Sequence, residues 1–199
     1  MNVQATPRVR QAAPKDARTL AKLIDIAGEG IPNWLWSRHY IDGKSPLDVG
    51  EKRAKRASGG FSYTNALIAE DEGVPVGMVL SYAIHEAPDD NPRDLPLPIA
   101  PFVALEKLSV GTWYVNALAV FANKRGSGTG SRLLQAAEDL GVANGSKAMS
   151  IQVYEQNVGA VRLYTNFGYE IAAREPVRLH PCQPYYTGDV LLLTKPLGQ

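Results

Sequence analysis

The sequence predicts an α/β (α+β) fold in which a mixed β-sheet is flanked by helices. Two apolar runs joined by a glycine turn, over residues 66–84, indicate a β-hairpin and therefore antiparallel strands. Strand and helix patterns then alternate over residues 113–176, which is typical of parallel pairing. Because the chain has 199 residues, we expect one domain, residues 1–199, with a single core.

The first part of the chain combines a short strand with helical patterns. The strand is predicted at residues 9–13, and a helix follows at residues 14–28, where apolar side chains recur at helical spacing. The aromatic segment at residues 31–43 has no clear assignment. A further helix is predicted from Ser45, because Asp48 stands three residues later and completes a capping box.

Residues 86–111 interrupt this regular pattern. They contain five of the fourteen prolines of the chain, and they are too long and irregular for a simple turn between strands. We therefore expect an insertion or lid here, with a short helix at residues 103–109.

The second half of the chain returns to clear strand and helix signals. Its four predicted strands lie at residues 113–121, 148–155, 169–176 and 189–197. Between the second and third of them, Asn157 is placed to cap a helix and Gly168 to end it.

Three alternating glycines, Gly126, Gly128 and Gly130, follow Arg125 and stand at the start of an apolar helix pattern. A helix start carries unsatisfied N–H groups and the positive end of the helix dipole. Glycines let the backbone approach a ligand closely, so that successive N–H groups converge on one anion, usually a phosphate. The alternative is a flexible turn between a strand and a helix.

This glycine loop does not match two nucleotide-binding motifs. The complete P-loop pattern G-x-x-x-x-G-K-[ST] does not occur in the sequence, and the dinucleotide pattern needs a third glycine where Ser131 stands. What remains is R-x-x-G-x-G, formed by Arg125, Gly128 and Gly130. A nucleotide-binding α/β protein stays open as an alternative, and it predicts affinity for ATP or NAD.

Two stretches carry a resemblance to a known family. VNALAVFANKRGSGTGSRLL, residues 115–134, resembles the acetyl-CoA-binding segment of the GNAT-type N-acetyltransferases, and VYEQNVGAVRLYTNFGYE, residues 153–170, is similar to that family's next segment. The resemblance covers roughly residues 9–195, and its specific part is residues 113–170. It implies a GNAT-like twisted central sheet with helices on both faces.

The resemblance implies transfer of an acetyl group from acetyl-CoA, as cosubstrate, to a primary amine by direct attack in a ternary complex, without a metal. The implied phosphate loop consists of Arg125, Gly126, Ser127, Gly128, Thr129, Gly130 and Ser131. The implied backbone partners of the pantetheine arm are Leu118, Ala119 and Val120. Asn157 resembles the family's asparagine near the pantetheine amides, and a plain helix cap is its alternative role.

Two catalytic residues follow from the same comparison. Tyr164 matches the family's tyrosine that protonates the departing thiolate, although a core tyrosine is the alternative. Asn116 stands on the central strand where many members of the family carry a carboxylate base. An amine of pKa about 10.4 must lose a proton before it attacks. Three carboxylates are candidate bases acting through water: Glu70, Asp71 and Glu106.

The resemblance implies an acceptor site between residues 28–40 and residues 86–111. Aromatic side chains there either line a pocket for a cation or pack in the core: Trp34, Trp36 and Tyr40. Acidic side chains there are Glu29, Asp89 and Asp90. The three histidines, His39, His85 and His180, are too scattered to suggest a metal site.

Composition narrows the class of protein further. The net charge of +1 gives no field that attracts nucleic acid or an anionic membrane. A single cysteine, Cys182, and no signal-like or membrane-spanning run favour a cytoplasmic protein. The expected acceptor is a small-molecule or peptide amine, and a homodimer is left open. The rival function is a non-catalytic acyl-CoA-binding or sensing module, which the missing strand carboxylate keeps open.

Overall fold

The computed structural model describes residues 7–39, 44–90 and 94–198, and it contains one mixed sheet. The strands are β1 (Arg8–Gln11), β2 (Ala66–Asp71), β3 (Val74–Ala83), β4 (Trp113–Val120), β5 (Ala148–Tyr154), β6 (Glu170–Pro176) and β7 (Asp189–Pro196). The flanking helices are α1 (Ala17–Ala27), α2 (Ile31–Ser37), α3 (Pro46–Ala54), α4 (Ala100–Glu106), α5 (Thr129–Ala143) and α6 (Val158–Asn166). The predicted fold class is confirmed.

The sheet has the strand order β1-β2-β3-β4-β5-β7-β6. β1, β2 and β3 pair in antiparallel fashion, β4 and β5 pair in parallel, and β7 pairs antiparallel with both β5 and β6. The last strand of the chain therefore lies between the two strands that precede it. The parallel pair follows from the helical crossover through α5, as the alternating pattern predicted.

Three segments differ from the expectations of the sequence. A short 3-10 turn, Pro14–Asp16, precedes α1, so the first α-helix begins at Ala17. The unassigned aromatic segment forms α2, although Tyr40 and the rest of residues 40–43 lie outside the described residues. The helix expected at residues 103–109 begins earlier, because α4 follows a 3-10 turn at Leu97–Ile99 and runs into another at Lys107–Ser109.

Two compact units partition the chain, and each is discontinuous in sequence. One unit consists of Met1–Ser81 and Ala117–Ala137, and the other of Tyr82–Asn116 and Glu138–Gln199. The prediction of a single domain stays a prediction. Within the described residues, no helix combines the length and the apolar character that crossing a membrane requires.

The first unit contains a close backbone approach at Gly77 in β3. A Cβ atom at this position would lie 2.8 Å from the carbonyl oxygen of Ala119 and 3.2 Å from the Leu133 side chain. Only glycine therefore lets β3 lie this close to β4 under the start of α5. The contact fixes the backbone of β4 just before the glycine loop.

Candidate functional site

The glycine loop between β4 and α5 has the backbone geometry expected of a tight anion-binding turn. Gly126 and Gly128 have φ angles of +79° and +78°, the left-handed region that favours glycine. Both are exposed, and no atom lies within 4 Å of the position of a Cβ at either. Their requirement for glycine is therefore conformational. Gly130 instead lies in the first turn of α5.

The loop presents a run of unbonded backbone donors. In the part of the chain that the structure describes, the N–H groups of residues 126–131 have no protein acceptor, and the helix ladder begins with the N–H of Arg132 donating to the carbonyl of Gly128. Residues 122–128 are exposed. Successive donors at the positive end of a helix are a binding site for an anion such as a phosphate.

The side chains of Arg125 and Ser127 form hydrogen bonds within the loop and with the end of β4. The Ser127 hydroxyl donates to the carbonyl of Lys124 at 2.9 Å and lies 2.9 Å from the Thr129 hydroxyl. The Arg125 Nε–H donates to the carbonyl of Val120 at 3.0 Å, so its guanidinium is held at the end of β4. The loop therefore fits a ligand held by its backbone, with a positive charge beside it.

The segment of β4 before the loop offers backbone groups. In the described residues, β4 pairs with β5 from Trp113 to Val115, whereas β4 itself continues to Val120. The side chains of Ala119 and Val120 are buried, and Leu118 is partly exposed. Core packing and ligand binding are therefore compatible at these residues, because the side chains pack while the backbone is the part implied to bind a ligand.

A polar cluster surrounds Asn116 in the second unit. Burial raises the pKa of the Tyr82 and Tyr114 phenols most strongly, and the nearby Asn116 amide acts on both in the opposite direction. The two rings meet edge to face, with centroids 5.9 Å apart and planes inclined at 79°. Glu106, at the end of α4, is close enough for its charge to act on both phenols. We name Tyr82, Glu106, Tyr114 and Asn116 the tyrosine cluster.

Burial controls the titration of the tyrosine cluster. It raises the pKa of the Tyr82 and Tyr114 phenols well above their usual value, and the negative charge of Glu106 raises both further. The pKa of Glu106 is itself raised, chiefly by burial and then by Asp90. Both phenols therefore stay protonated near neutral pH and are available as hydrogen-bond donors.

Sequence analysis missed both tyrosines of this cluster. Tyr114 and Asn116 are two residues apart on β4, so strand periodicity alone places them on one face of the sheet. That signal was available. The position of Tyr82 could not be predicted in this way, because its contact with Tyr114 depends on how β3 and β4 are arranged in the sheet.

Asn157 and Tyr164 belong to α6 and its cap. Asn157 precedes the first residue of the helix, and Tyr164 lies in its second half. The Asn157 side chain caps the helix by accepting from the Ala160 N–H at 3.2 Å. Tyr164 is buried, 5% exposed, with its ring 6.1 Å from that of Tyr169. Burial raises the pKa of the Tyr164 phenol, so the group stays protonated near neutral pH. Among the described contacts, Tyr164 is not part of the tyrosine cluster.

Two of the three candidate bases are held in ion pairs. Glu70 accepts from Arg10, whose guanidinium also binds Asp16, and this pairing lowers the pKa of Glu70. Asp71 pairs with Lys124 at 2.7 Å. Glu70 is therefore not well placed to take a proton from an amine, because Arg10 stabilises its charged form.

The aromatic residues of the expected acceptor segment have different roles. Trp36 is buried, 3% exposed, and its ring fills the space beside Gly50, where a Cβ would lie 2.5 Å away. It therefore packs in the core. The Arg38 guanidinium lies over the Trp34 ring, 5.1 Å from its centroid, in a cation–π contact. Tyr40 lies outside the described residues.

The remaining polar candidates do not gather into a centre. Asp89 and Asp90 are exposed, and Glu29 has a positive φ of 51° next to Gly30. His39 and His85 are exposed, whereas the His180 Nδ1 lies 3.0 Å from the Cys182 sulfur. Over residues 7–39, 44–90 and 94–198, no group of three or more potential metal ligands is found.

Comparison with known proteins identifies the family of the chain. The model of the acetyltransferase (GNAT) family matches residues 29–169, which include the glycine loop, the tyrosine cluster and Tyr164. The chain therefore belongs to the acetyltransferase (GNAT) family, and the resemblance noted in the sequence is confirmed. None of the curated proteins is a significant match to the sequence.

Solved structures share the fold at low sequence identity. An N-acetyltransferase from Staphylococcus aureus Mu50 is 22% identical, with a TM-score of 0.67 over 94% of this chain and 100% of that one. A mosquito arylalkylamine N-acetyltransferase like 5b is 19% identical, with a TM-score of 0.65 over 96% and 100%. The yncA protein from Salmonella typhimurium, solved with its cofactor acetyl-CoA, is 17% identical, with a TM-score of 0.60 over 98% and 96%.

Proposed function

We propose that this protein is an N-acetyltransferase that moves an acetyl group from acetyl-CoA to a primary amine by direct attack in a ternary complex. The observation that carries the proposal is the run of unbonded N–H groups at residues 126–131, in a chain of the acetyltransferase family. The acceptor is a small molecule or a peptide. The structural neighbours include the NatC complex bound to a Gag peptide and CoA, and a mosquito arylalkylamine N-acetyltransferase like 5b.

Acetyl-CoA supplies the acetyl group as a thioester when it is bound. The loop residues 126–131 hold its pyrophosphate through their N–H groups, with Arg125 as the adjacent positive charge. The backbone of residues 118–120 pairs with the pantetheine arm as an added strand would. An N–H group of the same segment polarises the thioester carbonyl and stabilises the developing oxyanion.

A second candidate function is an acyl-CoA sensor without turnover. One observation favours it: β4 has no carboxylate, and the Asn116 amide that stands in its place cannot accept a proton from an amine. The two functions agree on the cofactor and differ in chemistry. A sensor binds acetyl-CoA and releases no thiol, whatever amine is present.

Calorimetric titration with acetyl-CoA tests the proposal first. We expect saturable binding of acetyl-CoA, a higher melting temperature in its presence, and no comparable binding of ATP or NAD. Release of free thiol is then measured with 2-phenylethylamine, 1,4-diaminobutane and a pentapeptide with a free N-terminus. Binding with thiol release supports the enzyme, binding without it supports the sensor, and no binding by folded, ligand-free protein contradicts both.

Tyr164→Phe is expected to reduce turnover more than cofactor affinity. The change removes one hydroxyl from a buried ring, so the packing against Tyr169 is kept while the proton donor is lost. We expect kcat to fall roughly 10²-fold or more, with the dissociation constant of acetyl-CoA within about twofold of the wild type. Tyr169→Phe is the matched control. An unchanged kcat in Tyr164→Phe would assign this tyrosine to the core.

A further inference from the structure

We infer that the side-chain hydroxyls of Ser127 and Thr129 are positioning groups, which hold the glycine loop in its ligand-binding conformation before acetyl-CoA arrives. This inference rests on the proposed function and adds to it a role for the two side chains. Both residues belong to the first compact unit, at the junction of the glycine loop and the first turn of α5. Their backbone N–H groups bind the pyrophosphate, whereas their hydroxyls act through the loop.

The order of donors and acceptors in the loop follows from the hydroxyl of Ser127. A serine hydroxyl has one proton, and Ser127 donates it to the carbonyl oxygen of Lys124 at 2.9 Å. In the second contact, where the two hydroxyl oxygens lie 2.9 Å apart, Ser127 is therefore the acceptor and Thr129 the donor. The two hydrogen bonds run from Thr129 through Ser127 to Lys124, and we name them the hydroxyl chain.

The hydroxyl chain spans the two glycines that have positive φ angles. Its first hydrogen bond closes a short ring across Gly128, and its second closes a ring that contains Gly126. Glycine has more conformational freedom to lose than any other residue. The two rings restrict the φ and ψ angles at these glycines, and these angles set the directions of the neighbouring N–H groups.

This restraint affects affinity because a loop that is ordered in advance loses less conformational entropy on binding. In the described part of the chain, the N–H groups of residues 126–131 have no protein acceptor, so these donors do not fix the loop themselves. Residues 122–128 are exposed, so packing contributes little to their order. The hydroxyl chain supplies the restraint that the backbone donors and the packing do not.

The two hydroxyls are not themselves donors to the ligand. Each has given its single proton to another oxygen, and its remaining lone pairs repel a phosphate. Thr129 is buried, 2% exposed, and a buried hydroxyl is costly to leave without a partner. Ser127 provides this partner, so the cost of losing the contact keeps the loop attached to the first turn of α5.

A second pair of hydroxyls in the first compact unit provides an internal control. Ser62 donates its proton to the carbonyl oxygen of Arg56, and the Thr64 hydroxyl lies 2.7 Å from the Ser62 oxygen. This pair has the same S-x-T spacing as the pair of the loop, with a tyrosine between its members instead of a glycine. It lies in a 3-10 turn before β2, outside the glycine loop.

Thr129→Val tests the hydroxyl chain, because valine keeps the shape of the side chain and removes the donor. We expect the Kd for acetyl-CoA, measured by calorimetry, to rise roughly tenfold in this variant and in Ser127→Ala. Thr129→Ser keeps the donor and should stay within about twofold of the wild type. Thr64→Val and Ser62→Ala are the matched controls, and their Kd should also stay within about twofold.

A shorter donor gives a readout that a loss of stability alone would not move. S-acetylpantetheine has the thioester and the pantetheine arm of acetyl-CoA and lacks the pyrophosphate. Its Kd is obtained by competition with acetyl-CoA. We expect Thr129→Val to bind it within about twofold of the wild type, so the preference for acetyl-CoA over S-acetylpantetheine falls roughly tenfold.

The double variant Ser127→Ala with Thr129→Val tests whether the two hydroxyls act as one chain. Thr129 acts on the loop through Ser127, so loss of its donor should matter little once the Ser127 hydroxyl is absent. We expect the Kd of the double variant to lie within about twofold of that of Ser127→Ala. Losses that add would show two independent contributions and contradict the chain.

The outcomes separate this inference from the function on which it rests. If folded, ligand-free wild type does not bind acetyl-CoA, the proposed function fails. If the wild type binds it and folded Thr129→Val binds it equally well, the hydroxyl chain does not position the loop and the inference is overturned. An equal loss in Thr64→Val, or an equal loss with S-acetylpantetheine, would show a general effect on the unit and overturn it as well.

Discussion

Gly128→Val is expected to abolish measurable acetyl-CoA binding and to leave the protein folded. The φ of Gly128 is +78°, and a β-branched residue is strongly disfavoured there. Valine forces the backbone toward negative φ, which changes the directions of the neighbouring N–H groups of the loop. We expect affinity to fall by roughly 10²-fold or more, since several charge-assisted hydrogen bonds are lost together. Calorimetric titration measures the loss.

Gly145→Val provides the control for backbone strain. Gly145 has a φ of +75° and nothing within 4 Å of a Cβ, so valine meets the same strain there as at Gly128. Each change should lower the free energy of unfolding by about 1–2 kcal/mol. Only Gly128→Val should affect binding. Equal affinities for the two variants would remove the loop from the site.

Lys195→Met is expected to cause the largest loss of stability among these variants. The Lys195 Nζ lies 2.7 Å from the Glu138 carboxylate, and it also lies 5.8 Å and 5.7 Å from the ring centroids of Phe167 and Tyr169. Glu138 is 6% exposed, so removal of the lysine leaves a buried carboxylate without its cation. We expect a loss of about 3 kcal/mol, measured by urea denaturation.

The double variant Lys195→Met with Glu138→Gln tests the cause of this loss. If the cost comes from a stranded charge, neutralising Glu138 should recover a large part of it, and the two changes should be clearly non-additive. Arg174→Met is the surface control, because the Arg174–Glu155 pair is 44% exposed on both sides and should contribute little. Additive single and double changes would contradict the buried-pair explanation.

The donor half of the candidate site was accessible from the sequence because its signals are local. The alternating glycines after a strand specify the backbone geometry of the loop, and both Gly126 and Gly128 adopt the left-handed conformation that only glycine adopts easily. The cap of α6 by Asn157 is equally local. Features of this kind depend on neighbours within a few residues, so they can be predicted without knowledge of the tertiary contacts.

The acceptor half was not accessible, because it depends on contacts between distant residues. Arg10 neutralises Glu70 across 60 positions of the sequence, and this contact separates one candidate base from another. Trp36 looked as suitable for a pocket as for the core until its packing beside Gly50 was known. The side chains have the same chemistry in both settings, so composition and periodicity do not distinguish them.

The position of β7 between β5 and β6 has a consequence for synthesis on the ribosome. β6 emerges first, yet β7 is its neighbour in the described sheet and ends 20 residues later, at Pro196. At about 5–20 residues per second, β6 waits about 1–4 s with its backbone groups unpaired. Nascent chains in this interval expose a strand whose unpaired backbone groups can pair with another edge.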